Sequence, residues 1–173
     1  LVNDALLKFG TEDQKRKYLP KLASGEWMGC FSLTEAGAGS DPGSLRAGAV
    51  RQGDSYLLNG TKNFTSNGAF ADVIIAFFCT DKEKGAKGIS AFLVPKETPG
   101  YAVGKHENKL GIRTSSTTEL VFTDCLIPAE ALLGQENRGL SIALATLDCG
   151  RVGVAAQAVG IAEAALEEAV RYA

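Results

Sequence analysis

The chain has 173 residues, 45% apolar and 22% charged, with 18 Lys and Arg against 20 Asp and Glu and a mean hydropathy of +0.02. A chain of this size buries roughly 70% of its extended surface on folding, enough for one sizeable core without disulfide or metal staples. A formal charge of −2 with the signs interspersed argues against a nucleic-acid footprint and against a polybasic face for an anionic membrane.

Three zones follow from periodicity. In the first, residues 1–28, Leu6, Leu7 and Phe9 form a short helical run closed by Gly10. Thr11 with Gln14 three residues on is a capping-box pattern that opens a second run, which Pro20 is expected to interrupt. The second zone, 29–138, is rich in β-formers and turn signals. It carries Tyr56-Leu57-Leu58, the dipeptide Asn59-Gly60, then Lys62 to Ser66, with further strands near Val73 to Cys79, Ile89 to Val94 and Glu119 to Phe122. Asn-Gly between two such runs predicts a hairpin turn. In the third zone, 139–173, Leu144, Leu147, Val154, Ala158 and Ile161 recur at helical spacing, a stripe expected to face a core. The fold class is α+β: an antiparallel barrel-like or sandwich-like β domain of roughly six to eight strands, bracketed by helices. The chain begins at Leu1, and its last helical stretch runs to Ala173 without a Gly or Pro terminator, so it reads as a piece of a longer protein.

No apolar run approaches the length of a membrane span, the longest being Val73 to Cys79. Cys30, Cys79, Cys125 and Cys149 contain no C-x-x-C pair and read as small buried hydrophobes, and the lone His106 sits in a solvated charge run; no metal site is expected.

Three clusters carry candidate chemistry. Ser32 to Gly43 combines glycines with hydroxyls, and composition leaves it either a polar surface loop or a cradle for an anion or a planar cofactor edge. In Lys62 to Gly68, strand alternation places Phe64 and Ser66 on one face, suited either to a stacked heterocycle or to ordinary packing. Asp148-Cys149-Gly150-Arg151 places a cation on the apolar stripe of the last helix, with Asp148 within pairing reach. That arrangement fits a structural ion pair or recognition of a phosphate or other polar ligand.

At these clusters the sequence resembles the acyl-CoA dehydrogenase family. The matching segments are Leu33-Thr34-Glu35 through Gly39-Ser40-Asp41, Asn59-Gly60-Thr61-Lys62 leading to Ser66-Asn67, Lys87 to Val94, Lys109-Leu110-Gly111-Ile112-Arg113 with Ser115-Ser116, and Leu147 to Arg151, the last resembling short-chain members in particular. The resemblance implies the end of an N-terminal helical domain at 1–28, a middle β domain at 29–138, and the first helix of a C-terminal bundle at 139–173. It implies FAD as cofactor, contacted by Phe31, Leu33, Thr34, Ser40, Phe64, Thr65 and Ser66. It further implies acyl-CoA as substrate, contacted by Ser40, Asp148 and Arg151.

The reaction implied is α,β-dehydrogenation of an acyl-CoA thioester to the trans-2-enoyl-CoA, a step of fatty acid β-oxidation. Electrons pass to an electron-transfer flavoprotein, in a homotetramer that is cytoplasmic or of the mitochondrial matrix. Family members carry the catalytic glutamate either in a later helix, beyond Ala173, or at the position filled here by Gly150, so the resemblance assigns no catalytic base to these residues and implies that they are inert alone. A non-catalytic flavin or acyl-CoA binding module and an acyl-CoA oxidase are the other readings left open.

Overall fold

The computed structural model describes residues Leu1–Ala173. Helix α1 spans Val2–Phe9 and α2 spans Glu12–Ser24. The capping box between them forms as the sequence predicts: the Gln14 N–H donates to Thr11 Oγ1 at 3.2 Å, and the Thr11 N–H donates to Gln14 Oε1 at 3.0 Å. Pro20 does not interrupt α2, which continues to a left-handed cap at Gly25. Its ring costs one intrahelical bond on an exposed turn, and neighbouring Tyr18 is buried and anchors the helix to the core.

Eight strands follow: β1 (Gly29–Ser32), β2 (Gly48–Gln52), β3 (Ser55–Ser66), β4 (Val73–Cys79), β5 (Ile89–Pro95), β6 (Tyr101–His106), β7 (Thr117–Pro128) and β8 (Leu132–Leu133), before helix α3 (Gly139–Tyr172). They form one sheet in the order β6-β7-β3-β2-β4-β5-β8, with β1 also on β4. The α+β class is as expected, but the sheet ends at β6 and β8 and does not close into a barrel. Nor is it wholly antiparallel, since β1 runs parallel to β4 and β2 meets β4 in parallel at Gly48.

The β4 sequence is apolar throughout because both its faces are covered, as near-continuous apolar strands are. Val73, Ile75 and Phe77 enter one core, which also holds Leu6, Tyr18 and Ile142 from the helices. Ile74, Ala76 and Phe78 enter a second core with Tyr56, Leu58, Phe92 and Phe122, between the two halves of the sheet. That second core makes the sheet sandwich-like. Cys30 and Cys125 pack in it as expected, and burial pushes their thiols up to about 12 and about 11. Cys149 departs from expectation: it is exposed on α3 and accepts a hydrogen bond from Lys8 Nζ at 3.0 Å.

The predicted turn at Asn59-Gly60 is not a turn. Strand β3 runs straight through it, and the pairing with β7 slips between Leu58 and Gly60. Gly60 is needed there because its φ is 143° and a Cβ would overlap the Ala47 Cβ. The hairpin instead turns at Gly53-Asp54, where Gln52 pairs with Ser55 and Gly53 takes a φ of 58°. Gly-Asp is itself a hairpin signal, and it precedes the first apolar residue of β3 rather than dividing the strand.

Asp72, just before β4, receives the Met28 N–H at 2.8 Å and pairs with Lys96. The Lys96 ammonium, and then the Met28 N–H, hold its carboxyl below the usual carboxylate value of 3.8. A lowered folded-state pKa gives stability that is present above the ordinary value and is lost as pH falls through the lowered one. Asp72→Asn is therefore expected to lower Tm by roughly 2–4 °C at pH 7, since Lys96 is half exposed and the pair is screened. The deficit should shrink as pH falls below the ordinary value of 3.8 and through the lowered one, which a thermal scan across pH measures.

Only the first turns of α3 are packed, with Gly139, Ile142, Ala143 and Thr146 buried. From Arg151 onward every residue is exposed, so the Val154 and Ile161 stripe expected to face a core is unpartnered in this chain. By length and composition α3 is apolar enough to cross a membrane, which uninterrupted apolar runs do not reveal because Asp148, Arg151, Gln157 and the interspersed glycines break each run.

Candidate functional site

Strands β1 and β2 share one edge of β4, so the chain between them, residues 33–47, leaves the sheet as a loop. A tight reverse turn shapes it, with Glu35 and Ala38 exchanging backbone hydrogen bonds of 3.2 and 3.1 Å. The loop faces the start of α3. A cavity of about 330 Å³ lies between them, lined by Phe31, Leu33, Thr34, Gly39, Ser40, Pro42, Asn63 and Phe64 on the sheet side and by Leu144, Leu147 and Arg151 on the helix. A second cavity of about 560 Å³ opens on the other side of Phe31 and Phe64, lined also by Trp27, Met28, Ser66, Asn67 and the first residues of α1.

The structure thus brings together Phe31, Leu33, Thr34, Ser40, Phe64 and Arg151 at one cavity, and Ser66 with Phe31 and Phe64 at the adjoining one. Phe64 and Ser66 do reach a common cavity, but not by plain strand alternation. The β3 and β7 register slips between Lys62 and Thr65, and Phe64 takes a φ of 55°, which turns its ring outward to 61% exposure. A positive φ at an aromatic residue is a strained conformation of the kind that recurs at ligand sites. Phe31 is braced from behind by Phe77, their ring centroids 4.9 Å apart.

Two expected contacts are placed differently. Thr65 Oγ1 points inward to Ser32 Oγ at 2.7 Å, and the Thr65 side chain lines neither cavity. The slip that exposes Phe64 returns Thr65 to the buried face. Asp148 also lines neither cavity; it lies on exposed α3 and accepts from Arg151 Nη1 at 3.1 Å, an ion pair with both partners about two-thirds exposed. The buried stripe that Arg151 is expected to interrupt does not form: Leu144 and Leu147 face the cavity, and from Arg151 onward the helix is exposed.

One pair escaped the sequence reading. Lys62 is fully buried, and its Nζ donates to Glu35 Oε1 at 2.7 Å and to the Leu33 carbonyl at 3.4 Å. Burial lowers the lysine's pKa, and the hydrogen bond to Glu35 opposes that shift. A signal was available: Lys62 shares the inward parity of Tyr56 and Leu58 on β3, and a cation there demands an anion.

Sequence profiles of the acyl-CoA dehydrogenase N-terminal, middle and C-terminal domains match residues 1–26, 30–125 and 137–173. An acyl-CoA dehydrogenase of Bacillus subtilis is 55% identical over 97% of this chain and 44% of its own length. Among solved structures, butyryl-CoA dehydrogenase from Megasphaera elsdenii superposes with a TM-score of 0.96 at 51% identity, covering 98% of this chain and 45% of that one. A chain from a structure titled for the electron transferring flavoprotein of Acidaminococcus fermentans gives 0.95 at 52% identity, covering 98% and 45%. A glutaryl-CoA dehydrogenase from Mycobacterium smegmatis in complex with FADH2 gives 0.78 at 42% identity, covering 86% and 37%. This chain spans less than half the length of these relatives. The profiles meet the chain from its first helix through its sheet to α3, and the chain belongs to the acyl-CoA dehydrogenase family.

Proposed function

We propose that these residues form the flavin-binding and substrate-facing part of an FAD-dependent acyl-CoA dehydrogenase acting on short acyl chains, with an electron-transfer flavoprotein as acceptor. The observation that carries the reading is the convergence of Phe31, Leu33, Thr34, Ser40 and Phe64 with Leu147 and Arg151 on one cavity. The residues present fit FAD chemically. Two aromatic side chains flank the cavities, and hydroxyls of Thr34, Ser40 and Ser66 with the amides of Asn63 and Asn67 supply the polar edge that a planar heterocycle requires.

When bound, FAD supplies the hydride acceptor of the dehydrogenation. Phe31 and Phe64 wall the ring system, while Thr34 and Ser66 offer donors at its edge. Leu144 and Leu147 give the acyl chain an apolar surface and exclude water from it. Arg151 offers a cation to the polar part of the CoA thioester, and Asp148 limits the rotamers of that guanidinium. No Asp or Glu lines the cavity, and position 150, where the family resemblance places the alternative base, is glycine. The carboxylate that takes the α-proton is therefore proposed to come from outside this chain, and residues 1–173 alone to be inert.

The test is the visible absorption of the purified full-length protein before and after anaerobic addition of butyryl-CoA. A flavin band that bleaches supports the reading. A band that persists with every acyl chain length defeats the dehydrogenase assignment, and no band after FAD supplementation favours a binding module without flavin. Rapid reoxidation of the bleached protein by oxygen points instead to an oxidase. Arg151→Ala is expected to raise the acyl-CoA Kd about tenfold, the worth of one hydrogen-bonded charge, with the flavin spectrum unchanged. Spectral titration measures both.

A further inference from the structure

The loop that carries Leu33, Thr34 and Ser40 is exposed over much of its length, with Ala36, Gly37, Gly39 and Ser40 all open to solvent. Yet the peptides at its base are fixed from beneath by two ionised side chains. Glu35 is 11% exposed. Its Oε2 accepts the Arg46 N–H at 2.7 Å, and its Oε1 accepts the Ala47 N–H at 3.1 Å together with Lys62 Nζ. One carboxylate thereby ties the start of the loop to its end and both to β3. Lys62, in the β3 wall, is capped on its other side by the Phe78 ring, 5.2 Å from the ammonium to the centroid. Burying an ion pair seldom adds net stability compared with apolar packing, so its presence beneath the loop calls for another reason.

The hydrogen-bond directions supply one. Two successive carbonyls point down into the sheet: that of Leu33 accepts from Lys62, and that of Thr34 accepts from the Asn63 N–H at 2.8 Å. In a trans peptide the N–H lies opposite the carbonyl. The Thr34 N–H, in the same peptide unit as the Leu33 carbonyl, is thus directed away from Lys62, and it makes no hydrogen bond within the chain. Leu33 and Thr34 both line the cavity. Lys62 therefore sets which way a free backbone donor faces at the cavity wall.

We propose that Lys62 and Glu35 are positioning residues for the flavin site: the buried pair clamps the loop from Leu33 to Ser40 onto β3 and aims the Thr34 N–H at the bound heterocycle. This rests on the flavin reading above. It assigns a role to a buried lysine that never touches cofactor or substrate.

The test compares the full-length protein with Lys62→Met and with the double variant Lys62→Met/Glu35→Gln, reading FAD Kd by fluorescence quenching, Tm of the apoprotein, and hydrogen exchange at Arg46 and Ala47. Lys62→Met leaves a carboxylate nearly buried and unpaired. It should lower Tm, speed exchange at those two amides, and raise the FAD Kd about tenfold or more, the worth of a charged hydrogen bond. In the double variant no charge is stranded, and the side-chain amide introduced by Glu35→Gln keeps one acceptor oxygen for the loop N–H groups while its NH2 can accept from neither, so Tm should return most of the way to the parent value and exchange should slow again at one of the two amides. The FAD Kd should stay raised, because the Leu33 carbonyl still lacks its donor.

A role confined to stability predicts the opposite, with FAD affinity recovering in step with Tm. That result, or an FAD Kd within twofold of the parent in Lys62→Met, overturns the proposal while leaving the flavin reading intact. A parent protein that binds no FAD overturns both.

Discussion

Phe77→Ala is expected to cost about 3–5 kcal/mol, the usual range for truncating a buried phenylalanine in a close-packed core. The ring is wholly inaccessible on β4 and sits in the core shared by the sheet and the helices, where β5 and β1 hold the strand from both edges and limit collapse into the space left. The change should appear as a Tm fall of roughly 10 °C in the full-length apoprotein. It should also reach the site, because Phe77 is the surface against which Phe31 leans at 4.9 Å. A weakened FAD Kd well below the unfolding temperature is the second expected reading. A loss of under about 1 kcal/mol would mean that the core closes over the deletion, and an unchanged FAD Kd would mean that Phe31 keeps its place without support.

The second large effect concerns the root of α3. A Cβ added to Gly139 would lie 2.5 Å from the Ser90 carbonyl carbon, 2.7 Å from its Cα and 2.9 Å from the Ala91 nitrogen, all backbone atoms of β5, which is held between β4 and β8. Neither side can yield by turning a side chain, so the helix must lift. The approach is also held by polar contacts: Thr80 Oγ1 bonds Ser90 Oγ at 2.7 Å and Asn137 Oδ1 at 2.9 Å, and the Asn137 N–H donates to Ser90 Oγ at 2.8 Å. Gly139→Ala is expected to destabilise by about 1–3 kcal/mol, as overpacking does. It should raise the acyl-CoA Kd as well, because Leu144, Leu147 and Arg151 move with the helix. Gly153→Ala on the same helix is the control. Nothing lies within 4 Å of its added Cβ, so it should be neutral or stabilising by up to about 1 kcal/mol from helix propensity. Thermal scans and acyl-CoA titration of the two variants separate a steric effect at the root from a general effect of alanine in α3.

Much of this architecture is legible in the residues because local signals and burial agree. The Thr11 and Gln14 box and the apolar runs of β4 and β5 meet their expected partners, and α3 forms where its helical spacing places it, although its Val154 and Ile161 stripe meets none in this chain. Where reading fails, two rules compete. Asn59-Gly60 has turn chemistry, but Tyr56, Leu58 and Lys62 on either side find inward partners along β7 and in the core, and that long pairing outweighs the local preference for a turn. Phe64 and Thr65 depend on a register slip, and whether a strand slips is decided by its neighbour, which no local pattern encodes. The Lys62 and Glu35 pair joins positions 27 residues apart, and only the parity of Lys62 hints at it. Arg151 was legible as an anomaly on an apolar stripe. Its surroundings were not, since what the stripe faces is a tertiary fact.

The placement of β1 and β2 on the same edge of β4 also bears on the order of events during folding. The loop between them acquires its shape from pairings 44 residues apart, Gly29 with Val73 through Ser32 with Ala76, and from β2 meeting Cys79. Such sequence-distant contacts must bear their loop-closure entropy before they are rewarded, and folds built on them form slowly. On the flavin reading proposed above, a cofactor held by Leu33, Thr34 and Ser40 would find its donors in place only after that pairing is complete. Its binding energy is then expected to act on late-formed contacts, and interactions of that kind retard unfolding far more than they hasten folding. Occupancy of this loop is thus expected to lengthen the lifetime of the native state more than it speeds the approach to it.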